Sequence, residues 1–195
     1  MSKAIKLAAI SPEHLNLNGD LGNLIVLQKR LQIRGVESEI VFLTGHENLS
    51  DFDFVLVGHG SKAAWAQLLS SCSELLANIA DYVHSNGALL SVASATDILQ
   101  PLLTGVEIIT GEWSSEFVSD DSVVGYLNSS SKGPLVQWYE NALLTQLHGP
   151  ILAKNPGIAD EIISRNGWAD VVSKSSELEE LDALADQSRR IAFEH

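Results

Sequence analysis

Side chains able to do chemistry gather around one stretch, Gly87-Ala-Leu-Leu-Ser-Val-Ala-Ser-Ala-Thr-Asp-Ile-Leu99. Leu89–Ala93 is a short, nearly all-apolar run, and Ser94–Leu99 switches to helical spacing. A strand-to-helix turn of this kind serves attack on a carbonyl. The apex presents a nucleophile, and the helix N-terminus offers backbone N–H groups to the developing oxyanion. Here the apex reads Ala93-Ser94-Ala95, so the scaffold is in place while the usual nucleophile is not. Ser91 and Ser94 flank the turn, but a hydroxyl is far less acidic than a thiol and needs a stronger base arrangement. Ser94 reads as the N-cap of the following helix.

Other candidates are scattered. Cys72 is the only cysteine and falls within 63–84, where Trp65, Leu68, Leu69, Leu75, Leu76, Ile79, Tyr82 and Val83 keep helical spacing. That pattern predicts one long helix with Cys72 as inert packing on its core face. His148 precedes Gly149-Pro150, and His59 sits inside Gly58-His-Gly60. Asp20 lies where the first turn of a helix would begin, a position that favours a carboxylate through the helix dipole.

The elements that must position these groups alternate in type. Ile5–Ile10 reads as a strand, followed from Leu21 by an amphipathic helix that Gly35 ends. Glu39–Leu43 and Asp53–Val57 read as further strands, the latter running into Gly58-His-Gly-Ser61. Strand, helix, strand and a glycine turn at a carboxyl edge indicate a doubly wound α/β arrangement, with Leu89–Ala93 covered on both faces. Gly105–Ile109, Trp113–Val118 and Ser122–Leu127 are expected as peripheral strands, with Asp120-Asp121 as a turn and Ser129–Ser131 as a flexible loop. Ala142–Leu147 should return as a strand. Asn155 or Pro156 should start a helix through Arg165, and Ser175 a terminal helix docked by Leu178, Leu181 and Leu184. No internal boundary or repeat divides 1–195, so one domain is expected.

Composition sets limits. The chain of 195 residues carries 12 basic against 25 acidic residues, a net charge of −13. That balance disfavours nucleic acid or an anionic membrane as the main partner. No apolar stretch reaches the length of a membrane span, and the N-terminus has no secretory pattern. One cysteine leaves no disulfide framework, which suits the cytoplasm. The histidine and cysteine spacing suggests no metal site, and no cofactor is implied.

Two segments carry a specific resemblance. Leu15-Asn-Leu-Asn-Gly-Asp-Leu-Gly-Asn23 and Gln146-Leu-His-Gly-Pro-Ile-Leu-Ala-Lys-Asn155 resemble the glutamine amidotransferase subunit of lipid II isoglutaminyl synthase. That family belongs to the cobyric-acid-synthase-like branch of class I glutamine amidotransferases. Phe54–Ser61 and Val124–Asn128 match more weakly and in the same order. The resemblance implies a flavodoxin-like fold, with a mostly parallel central sheet and helices on both faces. It implies a cysteine nucleophile at the elbow, a histidine falling on His148 and an acidic partner falling on Asp20. It also implies a glutamine pocket bordered by Gly58, His59, Gly60, Ser94 and Asn128, and ammonia delivery to an ATP-dependent, Mur-ligase-like partner that amidates a peptidoglycan precursor.

The chain departs from that pattern. The cysteine position is Ala93, and Ser94 and Ala95 replace small glycine-rich residues. The stretch after Asn128 lacks a His-Gly-Gly segment and a further hairpin, running through Ser129–Pro134 directly to Val136–Glu140. An altered apex and a shortened wall together point to natural loss of the hydrolytic step. His148 and Asp20 would then be vestigial, and the chain a binding or scaffold subunit beside a ligase-like partner. Two other readings fit the same residues: a working glutaminase with a different nucleophile, and a small-molecule sensor using the remnant pocket.

Overall fold

The computed structural model describes residues 3–120 and 123–192. Four strands with almost no polar alternation, β1 (Ile5–Ile10), β3 (Phe54–Val57), β4 (Leu89–Val92) and β8 (Ala142–Thr145), form the middle of a six-stranded sheet. β2 (Ser38–Leu43) and β7 (Val136–Tyr139) complete it in the order β2-β1-β3-β4-β8-β7. All pairings are parallel except β7 with β8. Strands buried on both faces need apolar side chains throughout, which is why these segments read as continuous hydrophobic runs.

Helices cover both faces. On one side α2 (Lys62–Ser71), α3 (Leu75–His84) and α4 (Ser94–Thr104) bury Trp65, Leu68, Ile79, Val83 and Leu99 against Val55, Val57 and Leu89. On the other side α1 (Gly22–Ile33) and α6 (Pro156–Arg165) bury Leu24, Leu27, Leu31, Ile162 and Ile163 against Leu7, Leu56 and Leu90. This is the expected flavodoxin-like α/β arrangement, with β4 central. α5 (Ile151–Lys154) is a further short turn before α6.

A second, antiparallel sheet forms from β5 (Thr110–Ser119), β6 (Val124–Ser131) and β9 (Leu147–His148). The chain therefore leaves the main sheet at Gln146 and enters the small one, so Ala142–Leu147 is not one strand. Gly105–Ile109 is not a strand; Gly105 ends α4 in the left-handed region, and 106–109 is irregular. Ser129–Ser131 is strand instead of loop, because Thr110 pairs with Ser131 and the Lys132 N–H reaches the Ile109 carbonyl. Asp120 accepts the Val123 N–H at the expected turn, while Asp121 and Ser122 lie outside the described residues.

The single helix expected over 63–84 is two. Cys72 leaves helical geometry at φ −128° and the Ser71 hydroxyl bonds back to the Leu68 carbonyl, while both helices keep an apolar row against the sheet. α7 (Ser176–Ile191) starts at Ser175, whose hydroxyl accepts the Leu178 N–H. Leu178 is buried and Leu181 half-buried, but Leu184 stands in solvent, so it does not dock the helix. An ion network does part of that work. Arg30 donates to both Asp160 oxygens, at 2.9 and 2.6 Å, and to Asp182 on α7 at 2.8 Å, while Arg34 adds a 2.8 Å bond to Asp160. Among the described residues no helix is long and apolar enough to cross a membrane.

Candidate functional site

Ala93 follows β4 directly and precedes α4, so it is the apex of the strand-to-helix turn. Its backbone sits at φ 49°, ψ −111°, a region an L-residue enters at a cost of about 1–3 kcal/mol. The strain is held from both sides, by the Ala93 N–H on the Thr145 carbonyl and the Asp97 N–H on the Ala93 carbonyl. The buried Thr96 hydroxyl, donating to the Thr145 carbonyl at 2.8 Å and accepting the Thr145 N–H at 3.1 Å, pins the start of α4 to β8. The turn is thus built as a nucleophile elbow, with a methyl group at its tip.

A cleft of about 410 Å³ opens over this elbow. His59, Gly60, Ala93, Ser94, Asn128 and His148 line it, together with Asp97, Trp113 and Gln146. These residues come from the ends of β3 and β4 and from the small sheet. Gly58 stands beneath the loop, where only a hydrogen fits. A Cβ there would sit 2.0 Å from the Leu15 carbonyl oxygen and 3.1 Å from the Asp20 carboxylate.

Asp20 joins three loops instead of capping α1. It is fully buried, and Oδ2 accepts the His59 N–H at 2.8 Å while Oδ1 accepts the Gly149 N–H at 3.1 Å. Burial pushes its pKa up to about 6, against the pull of those two N–H donors. Its hydrogen bonds go to backbone beside the two histidines, and none to an imidazole nitrogen.

The two histidine rings meet edge to face with centroids 4.6 Å apart. His148 Nδ1 accepts from the Asn18 amide at 2.6 Å. Burial pushes the His148 pKa down, with the Asn128 carbonyl and the Asp97 charge acting the other way. The Nδ1 nitrogen is thus held by Asn18. His59 is held near pKa 4, first by burial and then by its neighbour His148, so its ring is neutral near pH 7.

The donors that would stabilise an oxyanion are engaged as well. The Ser94 N–H points at His59 Nδ1 at 3.3 Å, and the His59 N–H is on Asp20. The Gly60 N–H donates to the Ser94 hydroxyl at 3.0 Å. That hydroxyl also accepts from Trp65 Nε1 at 3.0 Å and donates to the Gly60 carbonyl at 2.9 Å. Ser94 is therefore not the cap of α4; Ala93 holds the cap position without a side-chain bond. Its hydroxyl is a buckle between α4, α2 and the 58–60 loop.

Cys72 does not line the cleft. Its sulfur lies 3.1 Å from His46 Nε2 and 3.7 Å from the Thr44 carbonyl, beyond the end of edge strand β2. Several cleft contacts gave no distinct signal in the sequence: Gln146 donating to Asp97 at 3.0 Å, Trp113 donating to the Asn128 side chain at 3.1 Å, and Asn18 on His148. Asn18 and Gln146 fall inside the two motifs quoted above, so motif membership was the available clue. Trp65 was visible only as a core residue.

No family model matches the sequence, and no curated protein matches it. Solved structures do match by shape. A glutamine amidotransferase from Thermotoga maritima aligns at TM-score 0.51 and 12% identity, over 98% of this chain and 94% of its own. Another structure described as a glutamine amidotransferase aligns at 0.54 and 16%, over 83% of this chain and 99% of its own. A two-domain protein from Anabaena variabilis, with DJ-1/ThiJ/PfpI-like and ferritin-like domains, aligns at 0.50 and 15%, over 93% of this chain and 54% of its own. At such identities the likeness is one of fold. The chain has the α/β fold shared by class I glutamine amidotransferases and DJ-1/ThiJ/PfpI-like proteins.

Proposed function

We propose that this chain is a glutamine-amidotransferase-like protein that has lost amide hydrolysis and serves as a binding or scaffold subunit. One observation carries the reading: a methyl group stands at the strained elbow, with the neighbouring N–H donors engaged inside the protein. Nucleophile, base and oxyanion donors act as a unit, and here the nucleophile is missing and the donors are occupied. The sequence resemblance supplies the expected partner, an ATP-dependent Mur-ligase-like chain that amidates a peptidoglycan precursor. In a second reading the cleft of about 410 Å³ holds a small molecule; its size suits one.

The test combines the purified chain with such a ligase. A complex of fixed stoichiometry should appear on size exclusion. Precursor amidation should proceed with added ammonia and not with glutamine as nitrogen source. Glutamine-dependent amidation that needs this chain would overturn the loss of hydrolysis. Absence of a complex at about 50 µM of each protein, an affinity weaker than about −6 kcal/mol, would overturn the scaffold role.

A further inference from the structure

The groove between α1, α5 and α7 is apolar, although α7 is the most acidic element of the chain. Ile25 on α1 is 59% exposed, Leu184 on α7 61% and Ile191 47%. Leu184 and Ile191 are seven residues apart, so they share one stripe of the helix. Beside that stripe lies a groove of about 320 Å³, walled by Val26, Leu152, Ala153, Pro156, Leu181 and Ala185. Projecting leucine and receiving groove lie on the same face. An isologous two-fold contact requires that arrangement, because each copy must offer both halves of the fit.

The charge pattern of α7 selects the orientation. Glu177, Glu179, Glu180 and Asp182 occupy its first half, and Arg189 and Arg190 its last turn. Glu177 pairs with Lys29, Asp182 with Arg30 and Lys174, and Arg189 with Asp186. Among the described residues, Glu179, Glu180 and Arg190 make no ion pair. Glu180 and Arg190 lie symmetrically about Ala185, the residue next to Leu184. An antiparallel pairing of two α7 helices centred there brings Arg190 of each copy level with Glu179 and Glu180 of the other. A parallel pairing would set acid against acid and base against base. The net charge of −13 disfavours an anionic membrane as the occupant.

We infer that this chain forms a two-fold homodimer through antiparallel α7 helices, each inserting Leu184 and Ile191 against the α1–α5–α7 groove of its partner. The cleft over Ala93 is lined by none of the residues of this groove, so self-association and ligand binding are separate properties.

Sedimentation velocity of the full chain from about 1 to about 100 µM tests the inference. Wild type should sediment as a dimer, and Leu184→Asp as a monomer with an unchanged circular dichroism spectrum. Glu180→Arg and Arg190→Glu should each weaken association at least about tenfold, and the double charge swap should restore it to within about threefold of wild type. A wild type that stays monomeric at the top concentration would overturn the inference. So would a dimer that survives Leu184→Asp, or a double swap no better than the single variants. A monomer whose complex with the ligase-like protein is broken by Leu184→Asp would assign the groove to that protein and overturn self-association.

Discussion

The backbone N–H of Ser94 donates to His59 Nδ1 across 3.3 Å, immediately beside the elbow. This N–H is the first one after the apex, where a developing oxyanion would be received. A neutral imidazole takes that place instead. The bond fixes the ring of His59 against His148, whose Nδ1 is held by Asn18. The N–H donors around the elbow bond within the protein, and a cleft of about 410 Å³ remains over it.

The histidine pair should be visible in a pH titration. Burial and His148 lower the folded pKa of His59 to about 4 from an ordinary 6.5. The unfolded chain therefore takes up a proton that the folded chain refuses. The stability due to neutral His59 is complete above about pH 6.5 and is lost as pH falls towards 4. Ring-proton NMR should place the His59 midpoint near 4 and move it upward in His148→Gln. A midpoint near 6.5 in wild type would contradict the packing described.

Asp20 acts with the opposite sign. Its folded pKa, raised by burial to about 6 from 3.8, means that the fold disfavours the carboxylate. The associated stability is complete below about pH 3.8 and falls as pH rises through 6, by on the order of 2–3 kcal/mol. Asp20→Asn lacks this dependence, so its stability relative to wild type should improve as pH is raised from 4 to 7. Urea unfolding at both pH values measures the difference. A gap that stays constant, or widens against the variant, would contradict the burial of Asp20.

The Arg30–Asp160 pair should dominate the docking of α6 and α7. Asp160→Asn leaves Arg30 and Arg34 short of their counter-charge in a buried setting, at a cost of about 3–5 kcal/mol. Urea unfolding should show that loss. A change below about 1 kcal/mol would mean that the network is solvated.

The main sheet was legible because its central strands are buried on both faces and so read as apolar runs. Leu89–Ala93 and Ile5–Ile10 fall within a residue of their observed ends. The small sheet was less legible, since β5 is almost wholly exposed and β6 runs into three serines that only their cross-strand partners make a strand. The break at Cys72 and the step at Gln146 are tertiary effects: each lets the chain change direction while its apolar row stays on the core. In the site, the family resemblance pointed to Asp20, His59, Ala93 and His148, and the structure brings all four to one edge of the sheet. Which hydrogen bonds His148 and Ser94 would make was hidden, because Asn18 and Trp65 lie far from them in the chain. The ion network was hidden for the same reason; nothing in the spacing of Arg30, Asp160 and Asp182 links them.

Ammonia release from glutamine by wild type and by Ala93→Cys asks whether the site has closed as a whole and not at one atom. Ala93→Gly serves as a folding control, since glycine removes the strain at φ 49° while giving up a methyl group; its stability should stay within about 1 kcal/mol of wild type. The account predicts no release above background for wild type or Ala93→Cys, with the cysteine variant folded and its thiol accessible to alkylation. Glutamine turnover by Ala93→Cys, abolished again by His148→Ala, would show that base and donors are free to act and would contradict the account.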